Sequence, residues 1–189
     1  MDYHFLKDDF NKPFVANRSE SSFLEVTIPF NLRNAIQSWG RNTIKSSDLF
    51  IYGTDYGFEH RPHISLLYDI KTDDVGTIEQ IVKKFEPPEI KLGKITKFPH
   101  KTAENTHKYD VIKISVNSPS LIAIHEKLKK QVPNDYEYSS YIPHITIAYV
   151  NVKSCDYLLG NDYWEGTTFT ARYLRFADTH NKSYIITLF

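Results

Sequence analysis

Two histidines and two hydroxyl side chains recur at matched places in this chain. Arg61-Pro62-His63-Ile64-Ser65-Leu66-Leu67-Tyr68 aligns with Ile142-Pro143-His144-Ile145-Thr146-Ile147-Ala148-Tyr149. Pro, His, Ile and Tyr are identical in the two copies, Thr stands for Ser, and Ile stands for Leu. A lone H-x-S or H-x-T tripeptide is usually incidental. A second copy with the same flanking residues points instead to one shared site. Both copies read as strands, and strand side chains alternate between faces. His63 and Ser65 therefore share one face, as do His144 and Thr146. Ile64, Leu66, Ile145 and Ile147 point the other way, toward the expected core. Counting by two also puts Tyr68 and Tyr149 on the core side.

Two imidazoles across a groove suit phosphodiester cleavage without a metal. A neutral histidine takes a proton from the attacking hydroxyl or water, and an imidazolium gives one to the leaving oxygen. An ordinary histidine pKa of about 6.5 lets both forms exist near neutral pH. Ser65 and Thr146 would donate hydrogen bonds to the non-bridging phosphate oxygens as charge builds at phosphorus. At this level the halves are nearly symmetric, so either histidine could be the acid.

Further candidates flank the motifs. Tyr56 and Phe58 precede the first, and Tyr136, Tyr138 and Tyr141 precede the second. Segments leading into active strands often form groove walls, so these five are candidates for stacking on bases. Arg61 could reach a phosphate or stand in solvent. His60, His100 and His107 lack any tight ligand spacing, and no metal site is expected of them. Lys83-Lys84 and Lys127, Lys129 and Lys130 read as solvated helix faces.

The elements that must position these residues follow an α+β order. Ser22–Phe30 alternates and predicts a strand. A helix capped by Asn31 is expected over Leu32 to about Lys45, with Gly40 weakening it. Leu49–Tyr52 and Pro62–Ile70 predict strands, and Thr72 to Phe85 a helix stopped by Pro87-Pro88. Strands are expected over Ile90–Phe98 and Tyr109–Val116. A helix capped by Ser118 or Ser120 should run to about Val132, followed by a strand over Tyr141–Val150. A short helix is expected at 153–160 and two last strands at Thr168–Phe176 and Ser183–Phe189. Residues 1–21 read as an arm, and 22–189 as one domain. A doubly wound nucleotide fold would want a glycine-rich turn after the first strand, and Pro29-Phe30-Asn31 is not one.

Composition narrows the partners. The chain has 23 basic and 23 acidic residues, so a basic surface that grips long nucleic acid by counterion release is not expected. A local pocket can still take a small nucleotide or oligonucleotide. The 13 Tyr and 12 Phe are enough both to fill a core and to stack on bases. No apolar run approaches the roughly 20 residues that span a bilayer, and the acidic, aromatic start of the chain is unlike a signal peptide. The single cysteine, Cys155, excludes an internal disulfide and fits a reducing, cytoplasmic setting. A monomer without cofactors is expected.

The paired H-x-[ST] pattern resembles the 2H phosphoesterase superfamily, also called LigT-like or 2′-5′ RNA ligase-like, over roughly residues 22–189. His63-Ile64-Ser65 would be its first motif and His144-Ile145-Thr146 its second. The Tyr109–Val116 strand and the helix carrying Leu121, His125 and Leu128 also look like the family's second half. The first motif carries Ser where Thr is commoner, and residues 1–21 have no family counterpart. The resemblance implies a bilobal α+β fold, two pseudo-symmetric sheet-and-helix lobes around a central groove. It also implies metal-independent cleavage of nucleotide phosphodiesters. Members open 2′,3′-cyclic phosphates, degrade 2′-5′ oligoadenylates or destroy cyclic messengers such as cGAMP. The neutral charge and many tyrosines direct the expectation to a cyclic or 2′-5′-linked oligonucleotide messenger, with a viral role in immune evasion in a host cytosol. The alternatives are a 2′,3′-cyclic phosphodiesterase or RNA end-processing enzyme, and a nucleotide-binding module without chemistry.

Overall fold

The computed structural model describes residues 21–52, 55–101, 107–180 and 182–188. Apart from Ser21, the arm expected at 1–21 lies outside these residues. Ten strands and three α-helices follow one another as β1 (Ser22–Val26), α1 (Phe30–Thr43), β2 (Ile51–Tyr52), β3 (Asp55–Tyr56), β4 (Ile64–Ile70), α2 (Val75–Val82), β5 (Glu89–Phe98), β6 (Tyr109–Asn117), α3 (Pro119–Gln131), β7 (His144–Asn151), β8 (Thr168–Thr170), β9 (Tyr173–Ala177) and β10 (Ser183–Thr187).

Two four-stranded antiparallel sheets carry the fold, in the orders β10-β9-β1-β4 and β7-β6-β5-β8. Each motif strand is the edge of its sheet, and its inner neighbour, β1 or β6, leads through a helix back to it. The pseudo-symmetry is thus β1-α1-β4 against β6-α3-β7. The core is made by one face of each sheet with the helices, and Ile64, Leu66, Ile145 and Ile147 lie in it as expected.

An uncovered edge would leave a row of unpaired backbone groups. The segment leading into each motif strand covers the other one. Leu49 and Phe58, which precede the first motif, lie beside β7 and bridge Val150 and Ala148. Residues 133–141 run beside β4, where Asn134 bridges Ile70 and the Lys71 N–H donates to the Pro133 carbonyl at 2.9 Å. The helices cross over too, α1 onto β7 and α3 onto β4.

Several boundaries differ from the sequence reading. Strand β1 stops at Val26, and α1 starts at Phe30, not Leu32. Pro29, with φ at −54°, is the N-terminal cap in place of Asn31, and its carbonyl accepts the Arg33 N–H at 2.9 Å. Proline's fixed φ suits the entry to a helix. Helix α2 is shorter than expected and is capped by Asp74, whose carboxylate accepts the Thr77 N–H. Ser118, not Ser120, caps α3. The helix at 153–160 is one 3-10 turn at Asp156–Leu158. The strand expected at Thr168–Phe176 is two strands in different sheets. Between them the buried Ala171 donates its N–H to the Pro88 carbonyl, and the chain crosses from the second lobe to the first.

Gly40 is a packing requirement rather than a weak point of α1. A Cβ there would lie 2.8 Å from the Ile147 Cγ2 atom, inside the core. Helix propensity alone favours Ala by about 1 kcal/mol, whereas overpacking costs about 1–3 kcal/mol. Gly40→Ala is therefore expected to lower Tm in a thermal melt. A rise would mean that Ile147 moves aside without cost.

Candidate active site

The two motif strands touch each other and bring His63 within electrostatic reach of His144, with Ser65 and Thr146 on the same strands. Each imidazole is aimed by its own backbone. His63 Nδ1 lies 2.8 Å from the Arg61 carbonyl and His144 Nδ1 lies 2.7 Å from the Ile142 carbonyl. A carbonyl only accepts, so the Nδ1 atoms carry the protons and the Nε2 atoms are left for chemistry. His63 Nε2 sits 3.3 Å from Ser65 Oγ.

Both motif strands bulge directly after the motif. Leu24 pairs with Leu67 but Glu25 with Ser65, so Leu66 is an extra residue in β4. Ile112 pairs with Ala148 but Lys113 with Thr146, so Ile147 is the extra residue in β7. A bulge leaves a backbone group without its ladder partner. Here each extra carbonyl is met from the other half of the chain. His125 Nδ1 on α3 donates to the Leu66 carbonyl at 2.7 Å, and the Glu59 N–H donates to the Ile147 carbonyl at 2.8 Å. Burial holds the His125 ring below the ordinary histidine range, which keeps it the neutral donor this contact needs.

The bulges also overturn the placement of Tyr68 and Tyr149. One extra residue reverses the alternation, so Leu66 and Leu67 are both buried, as are Ile147 and Ala148. The tyrosines beyond them return to the face of the histidines, where both are half-buried.

The remaining candidates separate by contact. Arg61 is held in an ion pair to Glu25 at 2.5 Å. Phe58 turns inward, packs against the core and lies beside Gly40. Tyr141 stacks on His125 at 4.1 Å between ring centroids, and its hydroxyl donates to the Ser65 carbonyl at 2.9 Å. It clamps the first motif from beneath. Tyr56 contacts Tyr149 at 5.2 Å, and Tyr136 and Tyr138 contact Tyr68 at 4.9 and 5.9 Å. His100 lies 3.3 Å from Asp110. No group of three His, Cys, Asp or Glu side chains poised for a metal occurs among the described residues.

Two charged residues that the sequence reading passed over stand at equivalent places. Glu25 on β1 is in register with Ser65, and Lys113 on β6 is in register with Thr146. Both are buried. One oxygen of Glu25 faces Arg61 at 2.5 Å and Arg175 at 3.5 Å. Its other oxygen makes no hydrogen bond and lies 3.7 Å from His63 Nε2. Lys113 donates to Thr96 Oγ1 at 2.9 Å and lies over the Phe98 ring, 4.3 Å from its centroid. The Phe98 ring in turn meets His144 edge-on at 4.8 Å. Burial brings the Lys113 ammonium down to about 8. Burial, then the charges of Lys113 and His63, bring His144 down to about 4. The signal for both residues was a single charge inside an apolar run, Phe23-Leu24-Glu25-Val26 and Val111-Ile112-Lys113-Ile114.

The fold and the paired motifs define a two-histidine phosphoesterase architecture. The chain belongs to the 2′-5′ RNA ligase superfamily, whose sequence profile matches residues 31–181. Its fold is similar to that of E. coli LigT in apo form, with 12% sequence identity, a TM-score of 0.58, and coverage of 90% of this chain and 95% of that one. LigT complexed with 3′-AMP gives 11% identity, a TM-score of 0.54, and coverage of 89% and 94%. Usb1 of Kluyveromyces marxianus with uridine monophosphate gives 10% identity, a TM-score of 0.52, and coverage of 92% and 100%. No curated protein matches the sequence. Membership in this phosphoesterase family supports a phosphodiesterase-type function. Among the described residues no helix is long and apolar enough to cross a membrane.

Glu25 is the counter-charge on which the first wall of the groove is built. Glu25→Gln leaves the Arg61 and Arg175 guanidinium groups facing each other. Removing one partner of a buried pair costs about 3–5 kcal/mol, and Arg61 keeps some water contact, so a loss near the lower end is expected. Urea denaturation measures it, and an unchanged midpoint would remove Glu25 from this role.

Proposed function

We propose that this chain is a metal-independent phosphodiesterase acting on short nucleotide phosphodiesters, with His63 and His144 as its acid–base pair. The observation that carries this reading is the duplicated arrangement itself. Two imidazoles have Nδ1 tied to backbone and Nε2 left for chemistry, His63 stands 3.3 Å from Ser65 Oγ, and Thr146 holds the matching place after His144.

The unlike charges at equivalent positions divide the roles. His144 lies on the Lys113 side, and its depressed basicity keeps it neutral, able to accept a proton at Nε2. His63 Nε2 lies 3.7 Å from the uncommitted oxygen of Glu25, which leaves it the acid's role in this reading. His144 therefore removes the proton from the attacking hydroxyl, of water or of a ribose. The attacking oxygen bonds to phosphorus, the bond to the leaving oxygen breaks, and His63 Nε2–H protonates that oxygen. Ser65, Thr146 and the Lys113 ammonium stabilise the charge that gathers on the non-bridging oxygens. Within this reading, cyclic and 2′-5′-linked oligonucleotides are the favoured substrates. The net charge of zero argues against long RNA.

A cleavage panel in EDTA tests the reading. It holds 2′,3′-cGAMP, 3′,3′-cyclic dinucleotides, cyclic trinucleotides, 2′-5′ oligoadenylate and 2′,3′-cyclic nucleotides. Turnover of at least one class is expected, with His63→Ala or His144→Ala slowing it about 10²–10⁴-fold. A single variant with near-wild-type turnover would overturn the two-histidine mechanism. Binding without cleavage would make the protein a nucleotide-binding module instead.

The division of roles has its own signature in pH. His144 acts as the neutral ring, so kcat/KM should rise as pH increases through about 4. Lys113→Met removes a positive neighbour, makes His144 easier to protonate, and should move this acid limb to higher pH. A limb that stays in place in Lys113→Met would give His144 a different role.

A further inference from the structure

Apart from the acid–base pair and its supports, six of the tyrosines are arranged in two trios. Tyr68 lies against Tyr136 and Tyr138, with centroids 4.9 and 5.9 Å away. Tyr149 lies against Tyr56 and Tyr109, at 5.2 and 5.4 Å. Each trio closes on itself, since Tyr136 meets Tyr138 at 5.8 Å and Tyr56 meets Tyr109 at 4.9 Å. In each, the central tyrosine lies on a motif strand, and at least one partner comes from the segment that covers that strand's edge. Tyr68 and Tyr149 with those partners follow the same pseudo-symmetry as the histidines, while Tyr109 comes from β6.

Of these six rings Tyr136 alone packs against the core. Tyr68 and Tyr149 stand outside the main apolar cluster. Tyr56 is 37% exposed and Tyr138 is 43% exposed, each at the outer side of its trio. The bulges after the motifs are what turn Tyr68 and Tyr149 toward the groove. Tyr68 is three residues beyond Ser65, and Tyr149 three beyond Thr146. Because of the bulge the inner strand advances only two residues over the same stretch, about 7 Å along each wall, within the reach of a nucleoside whose phosphate sits between the two hydroxyls. The trios also sense each other. Tyr109 is pushed up to about 12 by burial and then by Tyr56 and Tyr138, the last of these a member of the opposite trio. Tyr109 and Tyr138, one from each trio, thus lie within electrostatic reach of each other.

We propose that the trios are nucleobase platforms, one on each wall, and that the substrate is a phosphodiester with a nucleoside on both sides of the scissile bond. A dinucleotide or oligonucleotide, linear or cyclic, fits this description, and a 2′,3′-cyclic mononucleotide does not. Tyrosine rings accept any base, so the platforms select for two bases without fixing their identity. The proposal rests on the phosphodiesterase reading for where the phosphate sits.

The test is calorimetric binding to the full chain carrying both His63→Ala and His144→Ala, so that nothing is turned over. The probes are adenylyl-(2′→5′)-adenosine, its 3′→5′ isomer, and 2′,3′-cyclic AMP. At least one dinucleotide should bind more tightly than the cyclic mononucleotide. Tyr68→Leu and Tyr149→Leu should each weaken that dinucleotide about 5- to 150-fold, whereas 2′,3′-cyclic AMP should respond to only one of them. Phe at either position should recover most of what Leu loses. Tyr56→Ala and Tyr138→Ala, at exposed sites, repeat the comparison if a Leu variant does not fold. Dinucleotides that bind no better than 2′,3′-cyclic AMP, or that respond at only one wall, overturn the proposal. Its failure is distinct from failure of the catalytic reading. Two-wall binding without wild-type cleavage sinks only the catalysis. Cleavage that is indifferent to the tyrosines sinks only the platforms.

Discussion

Two sheet edges have to be covered, and the way they are covered builds the site. β4 and β7 are the outermost strands of their sheets, and each would otherwise expose its backbone to solvent. The segment before one motif strand runs beside the other. This exchange ties the lobes together, sets the two histidines on either side of one groove, and brings aromatic residues from distant sequence onto each wall. It also supplies partners for the bulge carbonyls. Glu59 serves Ile147 and His125 serves Leu66. A groove between two independent sheets would be free to open. Here each wall is hydrogen-bonded to the chain that leads into the other.

Within this near-symmetry, charge distinguishes the two halves. Glu25 and Lys113 occupy equivalent register positions with opposite sign. The carboxylate is fixed by two guanidinium groups through one oxygen, leaving the other near His63. The ammonium is seated on Phe98, which also packs on His144. Burial strengthens both effects, since little water is present to screen them. The same burial makes the pair demanding of the fold, because neither charge tolerates the loss of its partners.

The bulges link the histidine and tyrosine positions of each motif strand. Strict alternation would have sent Tyr68 and Tyr149 into the core and left each wall bare beyond its hydroxyl. One inserted residue in each motif strand changes the parity at that point. Two consecutive apolar side chains then face the core, and the next side chain faces the groove. The matched burial of Leu66-Leu67 and Ile147-Ala148 shows that the duplication extends past the H-x-[ST] motif to the irregularity that follows it.

The amino-acid sequence by itself determined the motif, the α+β order and the faces of His63, Ser65, His144 and Thr146. Those properties depend on residue type and on local period, and both can be read along a single strand. Proline, charge and capping residues also bounded most helices to within a turn. Arg61, Phe58 and Tyr141 could not be placed in this way. Their contacts are with Glu25, Gly40 and His125, each distant in the chain, and proximity in the sequence to a motif says nothing about which neighbour a ring or guanidinium will meet. The split of Thr168–Phe176 between two sheets was decided by tertiary structure alone, because both halves carry ordinary strand residues and only the Pro88 carbonyl and the sheet edges fix where they go. Glu25 and Lys113 fall between these cases. A lone charge in an apolar run was visible, but its meaning came only from the register that sets one beside Ser65 and the other beside Thr146.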